Sequence, residues 1–197
     1  MANILLVRHG EVDWNIEKRL VGQFNLSLNE KGVNQAKKVA MDLADRNLDY
    51  IYCSPLDRTI QTYYHIAKYH KFVNFKIDKR ITAKHHGHLQ GVLVQDIEKL
   101  YPQYEGIAIT NSDELAPSGG ETKNEVRKRV YNFLDEFNLK ADVQILIITH
   151  MAIIRIINEY FGNSNKFLAN SEKIPKCTIF EINVNTNRGC SRSTISS

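Results

Sequence analysis

Two hydrophobic rhythms alternate along the chain. Asn3–Arg8 is a short apolar run that ends in charge, the pattern of a strand buried on both faces. A polar stretch follows to about Ser27. Leu28-Asn29-Glu30-Lys31 then opens a segment with Val33, Ala36, Val39, Ala40 and Leu43 on one helical face. Asp49–Cys53 predicts a second strand, and Ser54-Pro55 an N-cap with proline at N1, so that a helix runs from about Pro55 to Tyr69. Val73–Ile77 alternates as a third strand. Ile81–Gly91 has no clean period and reads as a loop, Val92–Leu100 as a short helix stopped near Pro102, and Tyr104–Ser118 as irregular. Gly119-Gly120-Glu121-Thr122 starts a long helix carrying Val126, Val130, Phe133, Leu134 and Phe137. Asp142–Thr149 is the most apolar strand, Met151–Phe161 has helical spacing with Gly162 as its stop, and Ile174–Val184 contains a last strand.

Strands alternating with helices predict an α/β fold: a three-layer α/β/α sandwich around a mostly parallel central sheet, with its site at the carboxyl ends of the strands. The 197 residues, with 43% hydrophobic and 24% charged, suit one domain over residues 1–185 and a flexible tail over 186–197. Twenty-six Lys/Arg against twenty-two Asp/Glu leave a formal charge of +4, spread along the chain, which gives no argument for a nucleic-acid partner. No apolar run approaches the ~18 residues of a membrane span. The opening residues lack a basic n-region and a small-residue cleavage site. Cys53, Cys177 and Cys190 are odd in number and far apart. Both observations lead to the expectation of a cytoplasmic protein without a disulfide framework or a metal site. Oligomeric state is not legible.

Candidate chemistry gathers at predicted strand ends. Arg8 and His9 close the first strand, His150 follows the strand ending at Thr149, and Arg58 lies one turn into the helix after the second strand. Taken singly, each residue has a plain structural explanation: a hydrogen-bonded histidine or a surface cation. Together, two arginines and two histidines without a carboxylate form an electropositive crevice. Arginine's planar fork matches phosphate oxygens, and helix N-termini after Ser54 and His150 would add N–H groups.

Leu6-Val7-Arg8-His9-Gly10-Glu11 with Trp14-Asn15, then Ser54-Pro55-Leu56-Asp57-Arg58-Thr59, Gly87-His88-Leu89-Gln90-Gly91, Pro117-Ser118-Gly119-Gly120-Glu121-Thr122 and Ile147-Ile148-Thr149-His150 together resemble the histidine phosphatase superfamily, the group that contains phosphoglycerate mutase. The resemblance spans most of the chain. It implies that His9 is a nucleophile that becomes phosphohistidine, with Arg8, Arg58 and His150 holding the phosphoryl oxygens. It also implies that Asn15, Val21, Gly22, His85 and Met151 complete the substrate cradle, that the substrate is a small phosphorylated compound, and that no cofactor is needed.

One position departs from the pattern. The family's general acid, a glutamate four residues before the glycine matching Gly87, is Ala83 here. Four readings follow. A neighbour such as His85, His86, His88, Asp113 or Glu114 takes over, or the substrate has a good leaving group. Alternatively the chain is a phospholigand-binding pseudo-phosphatase, or the alanine is an introduced substitution. The interval Val92–Ala116 is short, with Lys99 its one cation, which favours a phosphatase over a mutase; Tyr101, Tyr104, Ile107 and Ile109 are candidates to wall the pocket. Glu121 reads as structural, Cys53 as inert, and the Lys37-Lys38 and Arg127-Lys128 runs as solvated helix faces.

Overall fold

A computed structural model describes residues 2–105, 112–139, 142–162, 167–168 and 174–184. The expected tail 186–197, Cys190, Ile107 and Ile109 lie outside these residues. The strands are β1 (Ala2–Arg8), β2 (Tyr50–Cys53), β3 (Asn74–Ile77), β4 (Gln144–Thr149) and β5 (Ile179–Val184). They form one sheet in the order β3-β2-β4-β1-β5. β1 pairs in parallel with β4, and β2 in parallel with both β3 and β4, whereas β5 runs antiparallel to β1. The expected α/β sandwich is therefore observed, with one antiparallel edge.

The central strands are buried on both faces because helices cover both. On one side α2 (Glu30–Leu43) and α3 (Asp57–Ile66) pack Val39, Ala40, Leu43 and Ile66 against Leu5, Val7, Ile51 and Ile148. On the other, α5 (Lys123–Leu134) and α6 (Met151–Tyr160) pack Val126, Val130, Phe133, Ile153 and Ile157 against Ile4, Leu6, Ile145 and Ile147. Alternate side chains of each strand thus feed opposite cores, as the period of two requires. The α5 start is set by Thr122, whose side chain accepts from the Glu125 N–H while Glu125 reaches back to the Thr122 N–H, a reciprocal capping box. No helix among the described residues is long and apolar enough to cross a membrane.

Several local expectations are corrected. The second-layer helix begins at Asp57 with Leu56 as N-cap, and not at Pro55. The reason is that Ser54 does not cap it: the Ser54 hydroxyl is turned to His150, and the Ser54 carbonyl accepts from Thr59 Oγ1. The same helix ends at Ile66, short of Tyr69, and the region 92–100 divides into a 3-10 turn at Val94–Asp96 and the one-turn helix α4 (Ile97–Leu100). The stretch read as a polar loop holds the one-turn helix α1 (Asp13–Ile16), closed by the Asn15 side chain accepting from the Val12 N–H at 3.2 Å. Ile81–Gly91 contains a 3-10 turn at Gly87–Leu89. The last strand lies within Ile174–Val184 as expected and starts at Ile179, after a turn at Lys176-Cys177 with Cys177 at φ +51°. Arg127 is no solvated charge: it pairs with Glu159 at 2.7 Å and Asp113 at 3.2 Å.

Candidate active site

The carboxyl ends of β1, β2 and β4 lie side by side, so the residues just past them meet. Arg8 ends β1 opposite Thr149 of β4, and the His9 N–H continues the ladder to the Thr149 carbonyl at 3.1 Å. The chain must turn sharply after His9 to pass under α2. A Cβ on Gly32 of α2 would stand 2.1 Å from the Glu11 carbonyl oxygen, so glycine is the residue that lets helix and turn approach.

Three of the four predicted catalytic side chains come together. The rings of His9 and His150 are 5.1 Å apart, and Arg58 Nη2 lies 3.4 Å from His150 Nδ1. The His9 Nδ1–H donates to the Gly10 carbonyl at 2.6 Å, which leaves Nε2 with its lone pair free. A nitrogen of this kind, neutral and unbonded, is what attack on phosphorus requires. His150 is oriented by Ser54, with Nε2 and Oγ 2.8 Å apart. Arg58 is 1% exposed and is held by the Gly22 carbonyl at 2.7 Å and the Phe24 carbonyl at 2.8 Å, so the Val21–Phe24 loop is tied to it.

The fourth, Arg8, stands at the same strand end, with Nη1 donating to the Ile174 carbonyl. Both guanidiniums keep a buried Nε–H without a hydrogen-bond partner, as Arg8 Nε and Arg58 Nε. Burial and a neighbouring arginine lower each to about 10: Arg155 acts on Arg8, and Arg8 on Arg58. They remain charged at neutral pH. A buried Arg58 and a half-buried Arg8, each with a spare donor and no paired carboxylate, can seat a tetrahedral oxyanion.

The same field acts on the imidazoles. Burial, then Arg58 and Arg8, holds His9 well below the ordinary histidine value, and burial, Arg58 and His9 do so for His150. Both rings are therefore neutral at pH 7. Because their folded values are depressed, the unfolded chain binds more protons at acid pH. The stability this contributes is complete above about pH 6.5 and is lost as pH falls below it. We expect carbon-bound ring protons of His9 and His150, followed by NMR, to show no titration between pH 8 and 6. Midpoints near 6.5 in both rings would contradict the site's electrostatics.

The predicted cradle residues are distributed unevenly. Gly22, at φ +56°, and Val21 lie on the loop gripped by Arg58, and Met151 opens α6 directly after His150. Asn15 spends its Oδ1 on closing α1. His85 is engaged with its own loop: its Nδ1 accepts from the Gly87 N–H at 3.0 Å, and its Nε2 is 3.5 Å from Gln90 Nε2. The N–H groups expected from a helix beginning after Ser54 are absent from that place, because α3 starts later.

Ala83 is 7% exposed, and its carbonyl accepts from Gln23 Nε2 at 2.8 Å and Arg129 Nη2 at 3.0 Å. The carboxylate nearest to it by hydrogen bonding is Glu121, which takes both Arg129 nitrogens at 2.8 and 3.0 Å and the His85 N–H at 2.8 Å. Glu121 thus ties Arg129 to the His85 backbone, a structural role, and it precedes α5. Two further residues were not anticipated. Gln90 Oε1 accepts from the Gln23 N–H at 2.7 Å and so braces the Val21–Phe24 loop, while Lys176 stands 3.4 Å from Glu11 and adds its charge beside His9 and Arg8. Gln90 lay within a recognised motif; Lys176, 165 residues from Glu11, carried no local signal.

Comparison with known proteins agrees with this geometry. The family model described as "Histidine phosphatase superfamily (branch 1)" matches residues 4–193. The chain belongs to the histidine phosphatase superfamily. Among its relatives, it is 34% identical to phosphoserine phosphatase 1 of Hydrogenobacter thermophilus over 79% of this chain and 74% of that protein. It is 30% identical to the phosphoglycerate mutase-like protein 4 of Arabidopsis thaliana over 80% of this chain and 70% of that one. The alpha-ribazole phosphatase from Shigella flexneri superposes with a TM-score of 0.81 at 19% identity, covering 93% of this chain and 91% of that one, a likeness of fold. Membership places the chain in a family of phosphatase-type hydrolases.

Proposed function

We propose that this histidine phosphatase superfamily member hydrolyses a small phosphate monoester through a phosphohistidine on His9. The observation that carries the reading is the free Nε2 of His9, oriented by the Gly10 carbonyl, beside the Arg58 guanidinium and the His150 ring. In the first step Nε2 attacks phosphorus and the P–O bond to the leaving group breaks, its electron pair departing on oxygen. In the second, water attacks phosphorus, the P–N bond breaks, and His9 is restored. Arg8, Arg58 and His150 bind the equatorial oxygens, where charge stabilisation and positioning supply most of the acceleration. The phosphatase names of relatives such as the Hydrogenobacter protein support hydrolysis over mutase chemistry. A short interval before Ala116, poor in cations, supports it too.

The test is turnover of para-nitrophenyl phosphate together with rapid acid-free quenching. The expected result is a transient, acid-labile phosphoryl group on His9. An inert protein that still binds phosphate would replace this reading with that of a binding module.

Ala83 limits the first step for poor leaving groups. With no carboxyl at this position, an alkoxide must leave without a proton delivered to it, which forgoes about 10²–10⁴-fold of rate. We expect Ala83→Glu to raise kcat on an alkyl phosphate such as glycerol phosphate by about 10²-fold, and on para-nitrophenyl phosphate far less. Steady-state rates on the two compounds check this.

A further inference from the structure

We propose that the preferred substrate is an aryl phosphate, its ring seated against Phe24. This rests on the phosphatase reading above and names the substrate class of the same site. Two independent observations lead to it.

The first concerns protons. The charges acting most strongly on His9 and His150 are all cationic, from Arg8, Arg58, Lys176 and Arg129, and both rings are neutral. The carboxylates around the site are committed elsewhere: Glu11 to Lys31 at 3.3 Å and Lys176 at 3.4 Å, Glu121 to Arg129. The His85 Nδ1 already accepts from the Gly87 N–H, so that nitrogen carries no proton to deliver. The Ser54 hydroxyl is bonded to His150. None of these groups is set to deliver a proton to the leaving oxygen. The P–O bond therefore breaks with the electron pair on an oxygen that departs as an anion and takes its proton from water. A phenol, with a pKa of about 10, tolerates this far better than an aliphatic hydroxyl, which is closer to the value of about 16 for water.

The second concerns shape. The Phe24 carbonyl is the one that holds Arg58 Nη1, so the Phe24 backbone is anchored beside the guanidinium that this reading places on the phosphate. That ring is 49% exposed, and behind it stands Trp14, centroid to centroid 4.5 Å at 32°. Trp14 is itself wedged against Gly91, where an added Cβ would lie 3.1 Å from its ring. The result is an aromatic pair whose outer ring is exposed, carried on the residue whose carbonyl holds Arg58. A flat ring attached directly to the phosphate oxygen would meet both that ring and Arg58.

The experiment is a leaving-group series on the wild-type protein: substituted phenyl phosphates, benzyl phosphate, phosphoserine and acetyl phosphate, followed by phosphate release. The expected result is that kcat/KM falls about tenfold for each unit rise in leaving-group pKa, with phenyl phosphate ahead of benzyl phosphate and phosphoserine by at least about 10²-fold. In Phe24→Ala the ratio of kcat/KM for phenyl phosphate to that for acetyl phosphate, which has no ring, should drop about five- to tenfold. A flat leaving-group dependence, or a ratio that Phe24→Ala leaves unchanged, overturns the proposal while turnover itself upholds the phosphatase. Absence of turnover on every compound overturns both. A phosphotyrosyl peptide against free phenyl phosphate distinguishes the two sources of the same chemistry: a higher kcat/KM on the peptide assigns a protein substrate, equality a small molecule.

Discussion

Replacing His9 by glutamine should reduce turnover of para-nitrophenyl phosphate by at least about 10⁴-fold, the scale of loss seen when a nucleophile is removed from an otherwise intact site. Glutamine is close in size and can still donate to the Gly10 carbonyl that His9 now bonds at 2.6 Å. It has no nitrogen lone pair able to displace an oxygen from phosphorus. The fold should survive, because the strand register around residue 9 is carried by backbone bonds, including that of its own N–H to the Thr149 carbonyl. Binding of inorganic phosphate, measured by calorimetry, should persist within about tenfold, since both guanidiniums and His150 remain. Residual turnover above one per cent would show that another group attacks phosphorus. Loss of phosphate binding with an unchanged melting curve would show that the ring is chiefly a ligand.

Arg58→Ala should lower kcat/KM by about 10³-fold and also destabilise the protein by about 2–3 kcal/mol. The first figure is that for deleting a preorganised donor at a site of developing charge. The second follows from the side chain's other work. Arg58 is buried and donates to the carbonyls of Gly22 and Phe24, which lose their partners when it is cut back. Its removal also takes a hydrogen-bond neighbour from His150. Arg58→Lys should recover part of the affinity for phosphate but little of the loop order, because one ammonium cannot span both carbonyls. Thermal melts and steady-state kinetics on the same samples separate the two effects. If Arg58→Ala keeps its activity, the anion is held elsewhere.

The architecture was legible in the sequence because period-two and period-3.6 patterns were strong where burial is strong. β1 and β4 are nearly uniform in apolar residues, as strands covered on both faces must be, and α2 carries its buried stripe where the spacing put it. What the pattern could not reveal was decided by side chains of distant elements. Ser54-Pro55 has the local chemistry of a helix start, yet the serine hydroxyl is taken by His150, 96 positions along the chain, and the helix begins later. The one-turn helix α1 and the turns around Gly87 are too short to show a period. Within the site, His9, Arg58 and His150 were found because strand ends announce themselves. The Gln90 brace on Gln23 and the Lys176 charge beside His9 were not, since both depend on loops meeting across the sheet.

The sheet order has a consequence for biosynthesis. Among the described residues β1 bonds to β4 and β5, so this strand must wait for residues 144–149 and then 179–184 before it has a neighbour on either side. β2 and β3 can pair as soon as both have left the ribosome, but His150 and the Ile174 carbonyl that steadies Arg8 come late. A nascent chain thus carries β1 without these partners while residues 9–143 are made, a span of long-range closure that slows folding and invites aggregation. Phosphate affinity should arise only once residues 144–184 have been made and the sheet has closed.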